Sequence, residues 1–151
     1  MRDEKEKFNE WAMGNSEAAG CLFCIFKASQ EIDDIYDNEN GSVLNVTMLL
    51  LLALGENDFF HAHRDQLFGI MTSSLIMWSA SNKFAQNASE TTRIYGFVYR
   101  EVLEQIIPYV SMLCGATVAQ ATEIAVDVHS YYHQEMKQDT FAEWSKEQGH
   151  G

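Results

Sequence analysis

Residues 16–37 read SEAAGCLFCIFKASQEIDDIYD, and this stretch sets the fold class. Its apolar residues, Cys21, Phe23, Cys24, Phe26, Ile32 and Ile35, recur at helical spacing, with no strand-type alternation. Ser16 can cap the start, and Asp37-Asn-Glu-Asn-Gly41 is a strong turn signal at the end. The pattern repeats along the chain. A first helix is expected from about 3 to 13, closed by Gly14-Asn15. Ser42 opens a third that stops at Gly55, and Asn57 or Asp58 starts a long fourth through Leu67, Met71, Leu75 and Trp78 to about Gln86. Ser89 caps a fifth that runs toward Gly115, where Pro108 should introduce a kink and free a carbonyl one turn back. Thr117-Val-Ala-Gln120 has capping-box form and opens a sixth to about Lys137. Thr140-Phe-Ala-Glu143 opens a short last one. The fold expected is all-α: a single compact bundle of about six to seven helices over residues 1–151, with no repeat or linker. Gly20, Gly69 and Gly96 fall inside helices, where close helix–helix contact is the usual reason to tolerate them.

A chain of 151 residues is long enough to bury a core, and one proline among them argues for order. Twenty-two acids against 10 lysines and arginines give a net charge of −12. That balance excludes sequence-independent nucleic-acid binding and attraction to anionic membranes. The charged N-terminus has no apolar stretch behind it, so no signal peptide is read there. The most apolar run, residues 43–54, is shorter than a membrane span and reads as a buried helix. Three cysteines without an export signal imply reduced thiols and a cytoplasmic protein.

The chemistry is densest at Glu31-Ile-Asp33-Asp34-Ile-Tyr-Asp37. Asp33 and Asp37 lie one helical turn apart and share a face, with Asp34 at its edge. Crowded carboxylates repel unless a cation sits among them. A hard cation such as Mg²⁺ fits, and it usually brings phosphate oxygens. Acids at a helix C-terminus also oppose the macrodipole, which makes a purely solvated role costly.

The D-D-x-x-D form at Asp33, Asp34 and Asp37 resembles the first aspartate-rich motif of isoprenoid (terpene and prenyl-diphosphate) synthases. The resemblance implies an all-helical fold and Mg²⁺ that grips a substrate diphosphate. The longer stretch resembles a family of small phage-encoded helical proteins of unknown function. In it an Ile-Asp-Asp helix end precedes Asn-x-Phe-aromatic-x-x-His-x-Asp-x-Leu and a tryptophan-bearing helix. Here these are Ile32-Asp33-Asp34, residues 57–67 and Trp78. That likeness implies a phage-encoded protein at work in the host cytoplasm. The chain departs from the synthases in length, about half of theirs. It departs also in the second metal motif, where Gln86 stands in place of a hydroxyl residue between Asn82 and Glu90.

Other residues extend or compete with this expectation. A bound anion needs positive donors beyond the metal; His63, Arg64 and Arg100 are the candidates for ligand binding. Arg93 lies two turns before Arg100. His129 and His133 are one turn apart and make half of a possible zinc or di-metal site, for which the sequence shows no third ligand. Glu101-x-x-Glu104 with Glu123 and Asp127 nearly matches the E-x-x-E…E-x-x-D pattern of all-helical nucleotide pyrophosphatases, with the last spacing off by one. Cys21-x-x-Cys24 lies among apolar residues and reads as core. The function expected is Mg²⁺-dependent recognition of a phosphate- or diphosphate-bearing small molecule, with enzymatic turnover left open. The alternatives are a non-enzymatic acidic interaction or virion-assembly protein that binds a host protein, with a homo-oligomer left open, and a pyrophosphatase-like enzyme.

Overall fold

The computed structural model describes residues 3–150, and every regular element within them is helical. Helix α1 (Glu4–Trp11) starts at Asp3, whose carboxylate accepts from the Lys5 amide. It ends where Met13 and Gly14 both take positive φ, 59° and 78°. Helix α2 (Ser16–Tyr36) is capped by Asn15, one residue before the expected Ser16, through the Ala18 amide. It buries Ala18, Cys21, Leu22, Cys24, Ile25, Phe26 and Ala28. This helix is central: α1, α3 (Val43–Thr47), α4 (Asp58–Ala62) and α7 (Ile106–Leu113) all pack on it. Helices α5 (Arg64–Phe84) and α6 (Glu90–Arg100) form an antiparallel hairpin, and α8 (Val118–Ser130) packs on α7. The short α9 (Phe141–Glu147) closes on α6. Ser42, Asn57, Ser89, Thr117 and Thr140 all cap helices, the last two as reciprocal capping boxes.

The count differs from the expected six to seven. Nine α-helices occur among the described residues, joined by π-helical segments at Met48–Ala53 and Tyr131–Glu135 and a 3₁₀ turn at Val102–Gln105. Two long helices expected from periodicity are divided. The fourth breaks at His63, whose φ of −121° leaves the helical region between α4 and α5. The fifth breaks after Arg100. Pro108 cannot donate to the carbonyl four residues earlier, that of Glu104, and its ring crowds it. The chain relieves the conflict by tightening the preceding turn.

The apolar run 43–54 is the second departure. It is helical, but only Leu54 is buried, and Val43, Leu44 and Leu51 are each about two-thirds exposed at 69%, 67% and 70%. Among the described residues α2 is the main element packed against this segment, so one face is covered and the other is left to solvent. Its length fits no membrane span, and no helix among the described residues is long and apolar enough to cross one.

The glycines divide by position. A Cβ on buried Gly96 would stand 2.9 Å from the Phe84 Cβ and 3.3 Å from the Ser81 carbonyl, so the α5–α6 contact requires glycine there. Gly20 has only an ordinary contact, 3.5 Å to Asn57, and Gly69 has no neighbour within 4 Å; close packing does not account for that glycine.

The core joins both ends of the chain. Trp11 meets Tyr131 edge-on at 5.5 Å, and Phe26 stacks on Tyr132 at 6.4 Å. Lys7 is fully buried in this aromatic cluster; its Nζ lies 2.6 Å from Asp127 Oδ2 and 5.1 Å from the Trp11 ring. Trp11 Nε1 donates to the same carboxylate oxygen at 2.8 Å.

Candidate functional site

A cavity of about 590 Å³ opens between α2, α5 and the turns that follow α6 and α8. Ile25, Phe26, Leu50, Phe68, Met71, Leu75 and Leu103 make its walls apolar, and Trp78 stands beside them. Charged groups enter it from several elements: Asp33 at the end of α2, Arg100 at the end of α6, Glu101 capping the 3₁₀ turn and Glu104 within it, and Lys137 and Asp139 after the second π segment. That volume, with apolar walls and a few polar groups, is the form of a small-molecule site.

The aspartate cluster is split by the helix face on which each member sits. Asp33 lines the cavity and accepts from Trp78 Nε1 at 3.4 Å. Asp34 faces the other way, into a shallow groove with Asn45 and Met48. Asp37 is the exposed C-cap of α2. Partial desolvation and the carboxylates of Asp33 and Asp34 raise its pKa above the ordinary carboxylate range, against the pull of Arg100. Asp37 thus feels both Asp33 and Arg100, although only those two of the three line the cavity. Arg100 also lies over the Trp144 ring, 5.7 Å from its centroid, which fixes its direction.

The other two basic candidates stand elsewhere. His63 packs its ring 4.6 Å from that of Phe59, and exposed Arg64 lies 5.5 Å over the Phe68 ring. Neither lines the cavity. Arg93 donates to the carbonyls of Asn87 and Ala88 and so holds the α5–α6 turn.

A second constellation was present in the sequence only as two unrelated halves. Glu101, which caps the 3₁₀ turn, and Glu104 within it face His129 at the end of α8 and His133 in the π segment. His133 Nε2 is 3.1 Å from Glu101 Oε2. The rings of His129 and His133 lie 4.3 Å apart between centroids. Donor atoms of Glu104, His129 and His133 all fall within 4.8 Å of one another, the one such group of three among the described residues. Burial, and secondly the Glu101 carboxylate, pushes Glu104 up to about 8. Glu101 is raised by burial as well, with His133, Arg100 and His129 pulling it down. Helical periodicity finds each pair, but nothing local to either pair signals the other.

The pyrophosphatase-type spacing does not converge here. Asp127 is engaged by Lys7 and Trp11, and Glu123 is exposed. Cys21 and Cys24 are core residues and Cys114 is half-buried against the core: burial pushes the Cys21 thiol up to about 12 and raises Cys24 and Cys114 too, so none is a thiolate near neutral pH. Comparison with protein-family models, with curated proteins and with solved structures finds no match for this chain.

Proposed function

We propose that this protein binds a small molecule with an apolar body and a phosphate or diphosphate head, the head held through Mg²⁺. One observation carries the reading: Asp33 and Arg100 line the same cavity, whose remaining wall is largely apolar. Mg²⁺ keeps most of its waters and needs only one or two carboxylates together with the ligand's phosphate oxygens. Asp33 and Asp37 supply those two, with Asp34 adding negative charge from the neighbouring face. Arg100 then offers a planar pair of N–H donors to the phosphate itself. The apolar wall accepts the rest of the molecule, which gains about 25 cal/mol per Å² of apolar surface removed from water.

The test uses a short-chain alkyl diphosphate with and without Mg²⁺. Trp78 bonds to Asp33, so its fluorescence reports on the site. Mg²⁺ should tighten binding, and Asp33→Asn should weaken the Mg²⁺-dependent part about 10-fold or more, since a charge-assisted contact contributes on the order of 1.5–3 kcal/mol. Equal affinity for both proteins at every Mg²⁺ concentration would refute this reading.

A different observation favours a second role, self-association. Residues 43–53 carry no charge and expose Val43, Leu44, Met48, Leu51 and Leu52 together. A contiguous apolar face of this kind usually meets a partner. A second copy fits best, because an uncharged helical face is complementary to itself about a two-fold axis. Light scattering should give twice the mass of the 17.2 kDa chain. Leu51→Glu should return it to the monomer mass; a wild-type monomer at about 100 µM would count against association.

A further inference from the structure

The Glu–His constellation is built by two irregularities in the helices. Pro108 withholds a donor from the Glu104 carbonyl, and the turn before it tightens to 3₁₀. Glu101 caps this turn, its carbonyl accepting from the Glu104 amide at 3.0 Å, so the two residues, three apart, present their carboxylates on one side. Opposite them, α8 passes into a π segment at Tyr131. His129 and His133, four apart, project from one face with their rings side by side. Single π turns are rare and concentrate at functional sites.

The local polar arrangement leaves a place for a cation. His133 Nε2 is inaccessible to solvent and makes no hydrogen bond of good geometry. Its partner is the Glu101 carboxylate, whose Oε2 lies 3.1 Å away as an ion pair, off the line a strong hydrogen bond requires. A buried polar atom in this position costs free energy unless something satisfies it. Two carboxylates a turn apart add mutual repulsion. A metal ion would answer both, because a neutral imidazole nitrogen and a carboxylate oxygen can point at one centre without pointing at each other.

We propose that Glu104, His129 and His133, with Glu101 as the fourth donor, bind a divalent transition-metal ion of the zinc class. Donor chemistry sets the class. Two imidazoles and carboxylate oxygen suit Zn²⁺, Fe²⁺ or Co²⁺, whereas Mg²⁺ and Ca²⁺ take oxygen almost alone. Ligand atoms around a tetrahedral zinc at about 2.1 Å stand roughly 3.4 Å apart. The separations among Glu104, His129 and His133, within 4.8 Å, close by side-chain rotation, and His129 is exposed; Glu101 stands outside that group and reaches it through His133, 3.1 Å away. Glu101 and Glu104 also line the cavity, so the ion would sit in its wall, within reach of a bound molecule. This centre is distinct from the one at Asp33 and Asp37 and does not depend on it.

The full-length chain, stripped with a chelator and dialysed, is titrated with Zn²⁺ alone and separately with Co²⁺ alone. One equivalent of zinc should bind with a dissociation constant on the order of micromolar or tighter, and Co²⁺ should give the visible absorption of a low-symmetry site with nitrogen ligands. Saturating zinc should raise Tm by about 5 °C. His129→Ala is the main variant, because His129 is exposed and its loss leaves the fold intact. It should weaken zinc binding at least about 100-fold and abolish the Tm shift, and Glu104→Gln should do the same. Asp33→Asn should bind zinc as the wild type does, which separates this site from the Mg²⁺ site. No stoichiometric binding by the wild type, or binding unchanged in His129→Ala and Glu104→Gln, overturns the assignment and leaves an ordinary His133–Glu101 ion pair.

Discussion

Asp127→Ala will lower stability by about 3 kcal/mol, or roughly 10 °C in Tm for a chain of this size. The effect comes from what is left behind. Lys7 is fully buried, and Asp127 is its close partner at 2.6 Å; Glu10, at 3.4 Å, is more than half exposed and holds it weakly. Removing the carboxylate strands an ammonium group among Trp11 and Tyr131, whose ring faces compensate it only in part. The Trp11 N–H loses its acceptor in the same change. The double variant Lys7→Met, Asp127→Leu should recover most of the loss, because an apolar pair of similar volume carries no stranded charge. Denaturant unfolding of the wild type, the single and the double variant decides it. A double variant no better than Asp127→Ala would show that packing, and not the charge, is at stake.

This pair also shows where sequence reading stops. Lys7 looks like one charge in the run Asp3-Glu-Lys-Glu-Lys7 at a solvated N-terminus, and Asp127 looks like the last acid of a catalytic pattern. Only the docking of α1 against the end of α8 turns them into a core ion pair. Local signals fared better. Ser42, Asn57, Ser89, Thr117 and Thr140 were legible as caps because a cap is a contact within three residues. Pro108 announced the disturbance at Glu104 for the same reason. The π segments have no comparable signature, and the exposed face of residues 43–53 looks the same in sequence as a buried one. The candidate site divides likewise. Asp33 and Asp37 share a face by helical geometry, and Arg100 was a candidate from charge balance alone. That Glu104 meets His129 and His133 depends on how α8 packs beside α7 and the 3₁₀ turn, 25 or more positions away in sequence.

The metal-free protein should lose stability as pH rises from about 4.5 to about 8, and Glu104 is the reason. Its carboxyl titrates at about 8 in the folded chain against 4.5 when free, because burial and the adjacent Glu101 disfavour the charged form. The folded state therefore binds more protons than the unfolded state throughout that window. The slope of unfolding free energy with pH follows the unfolded-minus-folded proton count, which is negative here. Below the unfolded value both states are protonated and the group contributes no slope; above the folded value both are charged and the loss is complete. At about 1.4 kcal/mol per pH unit the total for a fully shifted group is on the order of a few kcal/mol, reduced by relaxation and by the partial exposure of the side chain. Glu104→Gln should flatten this part of the profile, so that the variant gains on the wild type steadily from pH 5 to pH 8.5 in the presence of chelator. Glu101→Gln is the companion variant. It removes the like charge beside Glu104 and should lower the Glu104 midpoint without abolishing the slope. Parallel profiles for the wild type and Glu104→Gln would mean that Glu104 is solvated and ionised like any surface acid, and the half-buried carboxylate pair would have to be redrawn.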